Sequence, residues 1–168
     1  MSQTHHLALA NIARIRHAGG IEADEMFSFV TKLGPINTLA ERAPGFVWRL
    51  KDDVGDGATG FEVLEDDPNV IINLAVWESI ETAYDFTYKT VHAKLMSRRT
   101  DWFDPVDGIA NLALWWVPAD HQPTVAEAVA RMRAIYAYGA SPEAFTFNLP
   151  FSASGEPVEP NFPKKDCA

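Results

Sequence analysis

The 168-residue chain carries 14 Lys and Arg against 23 Asp and Glu, a formal net charge of −9. That balance argues against nucleic acid or an anionic membrane as partner, because phosphate contacts need clustered cations. Cys167 is the only cysteine, so an intrachain disulfide and a cysteine-rich metal site are excluded. No apolar run reaches the length of a membrane span, and the start MSQTHHLALANIAR lacks the basic and apolar regions of a signal peptide, so a soluble, cytoplasmic protein is expected. The length suits one domain, taken as residues 1–149, with an irregular Pro-rich tail over 150–168.

In chain order, residues 6–12 read as a strand, rich enough in Ala for a helix to sit close over it. Residues 21–43 have helical spacing, with Met26, Phe27, Val30 and Leu33 on a stripe that Gly34-Pro35 is expected to break. Pro44-Gly45 ends this segment and residues 46–50 form a short strand. A loop rich in Asp and Gly leads to a short strand expected at 61–63 and a turn at Asp67-Pro68-Asn69. Residues 70–77 alternate as a strand should. Ser79 then caps a helix running to about Arg99, with an incomplete capping box because Thr82 stands where Glu would be. Residues 109–117 form a strand, Thr124 caps a helix to about Tyr138, and residues 144–149 are expected as a last strand.

Two of these strands share a pattern: NLAVW at 73–77 and NLALW at 111–115. A strand sends alternate side chains to opposite faces, so each has an aliphatic face and a face bearing an amide, an alanine and an indole. The order β-α-β-β-α-β is that of a ferredoxin-like α+β sheet with both helices on one face, plus the C-terminal helix and strand. Leu74, Val76, Leu112 and Leu114 are then expected beneath the helices. Asn73, Ala75, Trp77, Asn111, Ala113 and Trp115 would lie on a bare face. An uncovered pair of indoles is an apolar patch that a second copy of the same sheet would cover, enclosing a small-molecule cavity in a homodimer.

The stretches HLALANIARI, APGFVWRL, NLAVWESIETAYDF, HAKLMSRRTDWF, LALWWVPADHQPTVAEA and SPEAFTF together resemble a bacterial family of unknown function within the dimeric α+β-barrel superfamily, the group containing antibiotic-biosynthesis-type monooxygenases. The resemblance covers most of residues 6–147. It implies a dimeric α+β barrel and no single activity, since that superfamily includes cofactor-independent oxygenases, haem-dependent enzymes and proteins that only bind ligands.

Several residues are candidates for chemistry. His92, beside Tyr88, Val91 and Leu95 on the second helix, has the imidazole of a general base or of an axial haem ligand; the alternative is a histidine hydrogen-bonded at the helix–sheet boundary. Asn73 and Asn111 could bind a ligand's oxygen or satisfy adjacent backbone. Asn11 is expected to join Asn111, because the first strand is taken to run antiparallel to the fourth and parallel to the third, leaving Asn73 toward the opposite end. Arg49 either faces the cavity as a forked donor or is exposed on an edge strand. Trp77 and Trp115 either stack on a flat ligand or fill core. The GxGxxG spelled by residues 55–60 lacks the following helix that a dinucleotide site requires, and reads as a solvated loop. His5 and His6 point oppositely and no HExxH occurs, so no metal site is expected. His121 reads as a surface residue. The combined expectation is a small-molecule enzyme, monooxygenase-like and without cofactor, acting on an aromatic or polyketide-like compound in the sheet-enclosed cavity. The alternatives are a non-catalytic ligand-binding or structural dimer and a haem protein.

Overall fold

A computed structural model describes residues 4–53 and 57–163. Its strands are β1 (His5–Ile15), β2 (Phe46–Arg49), β3 (Val70–Trp77), β4 (Phe103–Asp104) and β5 (Leu112–Pro118). Its α-helices are α1 (Phe27–Glu41), α2 (Ile80–Lys89), α3 (Val91–Ser97) and α4 (Val125–Tyr138). The sheet runs β2-β3-β1, with β5 beside β1 along most of its length and β4 pairing only its end. This is the expected α+β, ferredoxin-like order, and every pairing in it is antiparallel.

The direction of β3 differs from expectation. β3 lies antiparallel to β1, with Asn11 directly opposite Asn73 and Leu7 opposite Trp77. The reason is topological: the crossover through α1 makes β1 and β2 parallel, and the reversal into β3 turns it against both.

Both faces of the sheet are covered within the chain. On one face, Leu7, Leu9, Ala75, Trp77 and Leu114 pack with Ala40 of α1 and with Ile80, Ala83, Tyr84 and Phe86 of α2. On the other, Ala8, Ala10, Leu74, Val76, Ala113 and Trp115 pack with Ala128, Val129 and Met132 of α4, helped by Val63, Val106 and Ile109 from loops. The alanines let α4 sit close to the sheet. The expected grouping therefore holds for the second motif, whose Leu112 and Leu114 lie on the α1–α2 side, and fails for the first. Leu74 and Val76 lie under α4 and not under α1 and α2, and Trp77 and Trp115 lie on opposite faces. The cause is registry. The two like-patterned pentapeptides sit on strands whose positions against β1 differ by one residue in parity, Trp77 opposite Leu7 but Trp115 opposite Ala8. With Trp77 at 2% and Trp115 at 1% exposure, the bare face that called for a second copy is not found.

Element boundaries also shift for identifiable reasons. α1 is preceded by two 3-10 turns (Gly20–Glu22 and Asp24–Met26) and runs through Pro35 without ending. Pro35 and Thr31, whose carbonyl loses its helical partner, are both exposed, so water can satisfy it. The capping box at Ser79 is complete: Thr82 N–H donates to Ser79 Oγ at 3.1 Å, and Ser79 N–H donates to Thr82 Oγ1 at 3.3 Å. A threonine hydroxyl thus does the work of a glutamate. Gly45 adopts φ +78°, and a Cβ there would fall 2.5 Å from the Thr82 side chain, which explains a glycine before β2. The helix expected to reach Arg99 is divided at Thr90 into α2 and α3.

Residues 61–63 form no strand, although Val63 is buried. The last expected strand is reduced to isolated bridges: Leu114 with Phe145, bonded in both directions at 2.8 Å, flanked by the local bridges Ser141–Ala144 and Thr146–Leu149. The tail from residue 150 is irregular yet docked. Phe151 O accepts Trp116 Nε1–H at 2.8 Å, and the Phe162 ring stacks on Tyr84 at 3.9 Å and 17°. Among the described residues no helix is long and apolar enough to cross a membrane.

Candidate functional site

The face under α1 and α2 is not uniformly apolar. At one end of it lies the cluster around Trp77, with Phe86 stacked on the indole at 5.2 Å. At the other end Ile15, Met26, Phe29 and Trp102 pack with Leu33 of α1 and Leu95 of α3. Between the two, in register, stand Asn11 and Asn73. Asn73 Nδ2–H donates to Asn11 Oδ1 at 3.1 Å. Asn73 is exposed and Asn11 half-buried, so the covering helices leave this row open to solvent although it crosses the two central strands. Once that mutual bond is made, the pair still offers the Asn11 amide hydrogens and the Asn73 carbonyl oxygen outward.

Arg49 belongs to the same face. A bulge between Phe46 and Trp48 shifts the alternation of β2, so Phe46 and Arg49 point to the α1–α2 side while Trp48 and Leu50 pack on the α4 side. Arg49 is opposite Ala75, one row from Asn73, and only 7% exposed. The expected alternative of an exposed edge arginine is therefore not what the fold makes. Its Nε–H donates to Glu41 Oε1 at 3.0 Å, and Lys51 Nζ reaches the same oxygen at 2.8 Å. Lys51, then Arg49, hold the Glu41 carboxyl below the ordinary range, against the opposing effect of partial burial. An open groove of ≈ 570 Å³ follows this edge, lined by Glu41 and residues 46–51.

His92 stands at the start of α3, half-buried, its ring 5.2 Å from that of Phe86. Its Nδ1 lies 3.2 Å from the Thr87 carbonyl oxygen. A carbonyl only accepts, so Nδ1 carries the proton and Nε2 keeps its lone pair. Phe86 of α2 belongs to the Trp77 cluster and Leu95 of α3 packs on the Trp102 cluster, the two clusters that flank the asparagine row. Asp85, a loosely expected neighbour, pairs with Lys89 at 2.7 Å. Burial holds the imidazole below its ordinary pKa, with the Thr87 bond opposing. The unfolded chain therefore binds the proton more readily than the folded one. This stability contribution is complete above about pH 6.5 and is lost as pH falls from there toward the folded value. Measured against His92→Gln, wild type is expected to show the steeper loss of stability as pH falls below about 6.5.

The remaining candidates fall elsewhere. Asn111 O accepts the N–H of Ile12, a residue of the α4 side, so Asn111 does not join Asn11 and Asn73. Its Oδ1 is buried without a partner among the described residues, as is Trp115 Nε1. Trp77 and Trp115 are core. His121 pairs with Glu127 at 2.8 Å on the surface. Residues 55 and 56 of the GxGxxG stretch lie outside the described residues, as does Cys167. Asp52 Oδ2 accepts Gly60 N–H at 2.9 Å, and no helix follows, in keeping with a loop. Among the described residues no three His, Cys, Asp or Glu converge for a metal. Glu41, Lys51 and Thr90 complete the site from outside the expected set. Nothing local in the sequence marks Glu41 as a partner of Arg49, and the apolar spacing that continues through residues 84–95 masks the break at Thr90.

No curated protein matches the chain. Among solved structures it is similar to one described as "Putative antibiotic biosynthesis monooxygenase from Nitrosomonas europaea", at 15% identity and TM-score 0.43 over 74% of this chain and 99% of that one. The family described as "Domain of unknown function (DUF3291)" matches residues 6–161, nearly the whole of the sequence read above, and the chain belongs to that family.

Proposed function

We propose that this chain is a small-molecule enzyme, a cofactor-independent monooxygenase-like oxidoreductase acting on an enolisable aromatic or polyketide-like compound. The observation that supports this reading is the Asn11–Asn73 pair, set open to solvent between two aromatic clusters. On this reading the site lies between the sheet and the α1–α2–α3 layer, and not in a cavity between two sheets. The Asn11 amide hydrogens, oriented by the bond from Asn73, bind the substrate oxygen and stabilise the enolate, as fixed dipoles aimed at developing charge do. His92 Nε2 takes the proton from the adjacent carbon. The enolate then reacts directly with dioxygen, a CH2 becoming a carbonyl with release of one water. Arg49, held by Glu41, closes the β2 side of the row. The reaction class follows the sequence resemblance; the assignment of roles follows the geometry.

The test is oxygen uptake with an enolisable polycyclic aromatic ketone. One dioxygen consumed per ketone oxidised is expected, with no reductant added and no Soret band in the purified protein. Turnover in the absence of oxygen at the aerobic rate rules the oxygenase out, and a Soret band replaces it with haem chemistry.

One observation favours a second reading, ligand binding without turnover. His92 is oriented by a backbone carbonyl, and among the described residues no carboxylate pairs with it to stabilise its protonated form. Ligand affinity that survives His92→Gln, with no oxygen uptake in either protein, selects this reading.

A further inference from the structure

We infer that Thr90 is the positioning residue that sets the tautomer of His92, through the break it makes between α2 and α3. In a continuous helix the Thr87 carbonyl would accept the N–H of residue 91, four places on. Thr90 prevents this by leaving the helical conformation, with φ −109° and ψ −176°. Its hydroxyl secures both sides of the break. Oγ1–H donates to Phe86 O at 2.6 Å, closing the last turn of α2, and Oγ1 accepts His92 N–H at 3.2 Å, capping the first turn of α3. The chain therefore restarts with His92 folded back toward α2. There Nδ1–H takes the Thr87 carbonyl at 3.2 Å. One threonine thereby frees an acceptor, places the ring against it and turns Nε2 out as the lone-pair atom. The exposure of Val91, 52%, is the by-product, since an unbroken helix would have kept it on the stripe of Tyr84 and Tyr88.

The catalytic consequence rests on His92 acting as the base; the tautomer itself does not. Nitrogen-15 NMR of the imidazole in the full chain, without substrate and at a pH above its titration, reads the tautomer directly. Wild type is expected to show protonated Nδ1 and unprotonated Nε2. Thr90→Val, which keeps the shape and removes the hydroxyl, is expected to shift the ratio toward Nε2–H by roughly fivefold, the worth of one ordinary hydrogen bond. Thr90→Ser is expected to hold the wild-type ratio, and Thr90→Ala substitutes for the valine variant if that does not fold. A wild-type Nε2–H tautomer overturns the inference, and so does an unchanged ratio in a folded Thr90→Val or Thr90→Ala protein. Loss or retention of turnover in His92→Gln bears on the enzyme reading and leaves the tautomer result standing.

Discussion

Trp115→Ala is expected to cost about 3–5 kcal/mol of folding stability, among the larger effects of a single core truncation. The indole is 1% exposed and lies among Ala8, Ala113 and the α4 residues Ala128 and Met132. Its partner across the strand pair is Ala8, too small to fill the space left behind. Trp115→Phe is expected to cost far less. It keeps most of the packing and removes a buried N–H that has no acceptor among the described residues. Trp77 should behave alike for a different reason, being held between Phe46 and the stacked Phe86 beneath α2. The sheet separates the two indoles, so Trp77→Phe and Trp115→Phe are expected to add within about 0.5 kcal/mol. Urea unfolding of the four proteins measures this. If Trp115→Ala left the midpoint unchanged and only weakened self-association, the indole would belong to an interface between copies.

The second large effect is on turnover. Asn73→Ala is expected to lower kcat/KM by about 10²-fold, because the Asn73 amide orients the Asn11 N–H donor aimed at developing negative charge, and losing one such donor typically costs that much. Stability should move little, about 0.5 kcal/mol or less, because the side chain is exposed. Asn11→Ala is expected to lose nearly as much activity, and the double variant little more than either single one. The two amides orient each other through one hydrogen bond, so each alanine also disarms its neighbour. Steady-state oxygen uptake by the three variants, checked against their melting curves, decides the matter. Full activity in both single variants would remove the asparagine row from the site.

The strands were legible because period-two alternation is a local property. HLALANI, NLAVW and NLALW each declare two faces, and Thr124 and Ser79 declare helix starts through side-chain bonds that close within three residues. The site was legible in kind but not in arrangement. Asn11, Asn73, Arg49 and His92 were all marked by chemistry, yet the partner assigned to Asn11 was Asn111, on the far side of the sheet. A bulge of one residue in β2 put Arg49 on the same face as Phe46, and alternation alone has no means of announcing it. The division of the helix at Thr90 was hidden by an apolar spacing that continued across it.

The residues by themselves determined which positions alternate, where helices start and which side chains carry usable chemistry, because these depend on dihedral preferences and on bonds between near neighbours. Only the tertiary structure decided what each face meets. Two pentapeptides of the same pattern buried their tryptophans on opposite sides because facing depends on register against β1, a long-range pairing. The cover for the second face came from α4, whose own sequence states that it has an apolar side but not against which sheet face that side will lie.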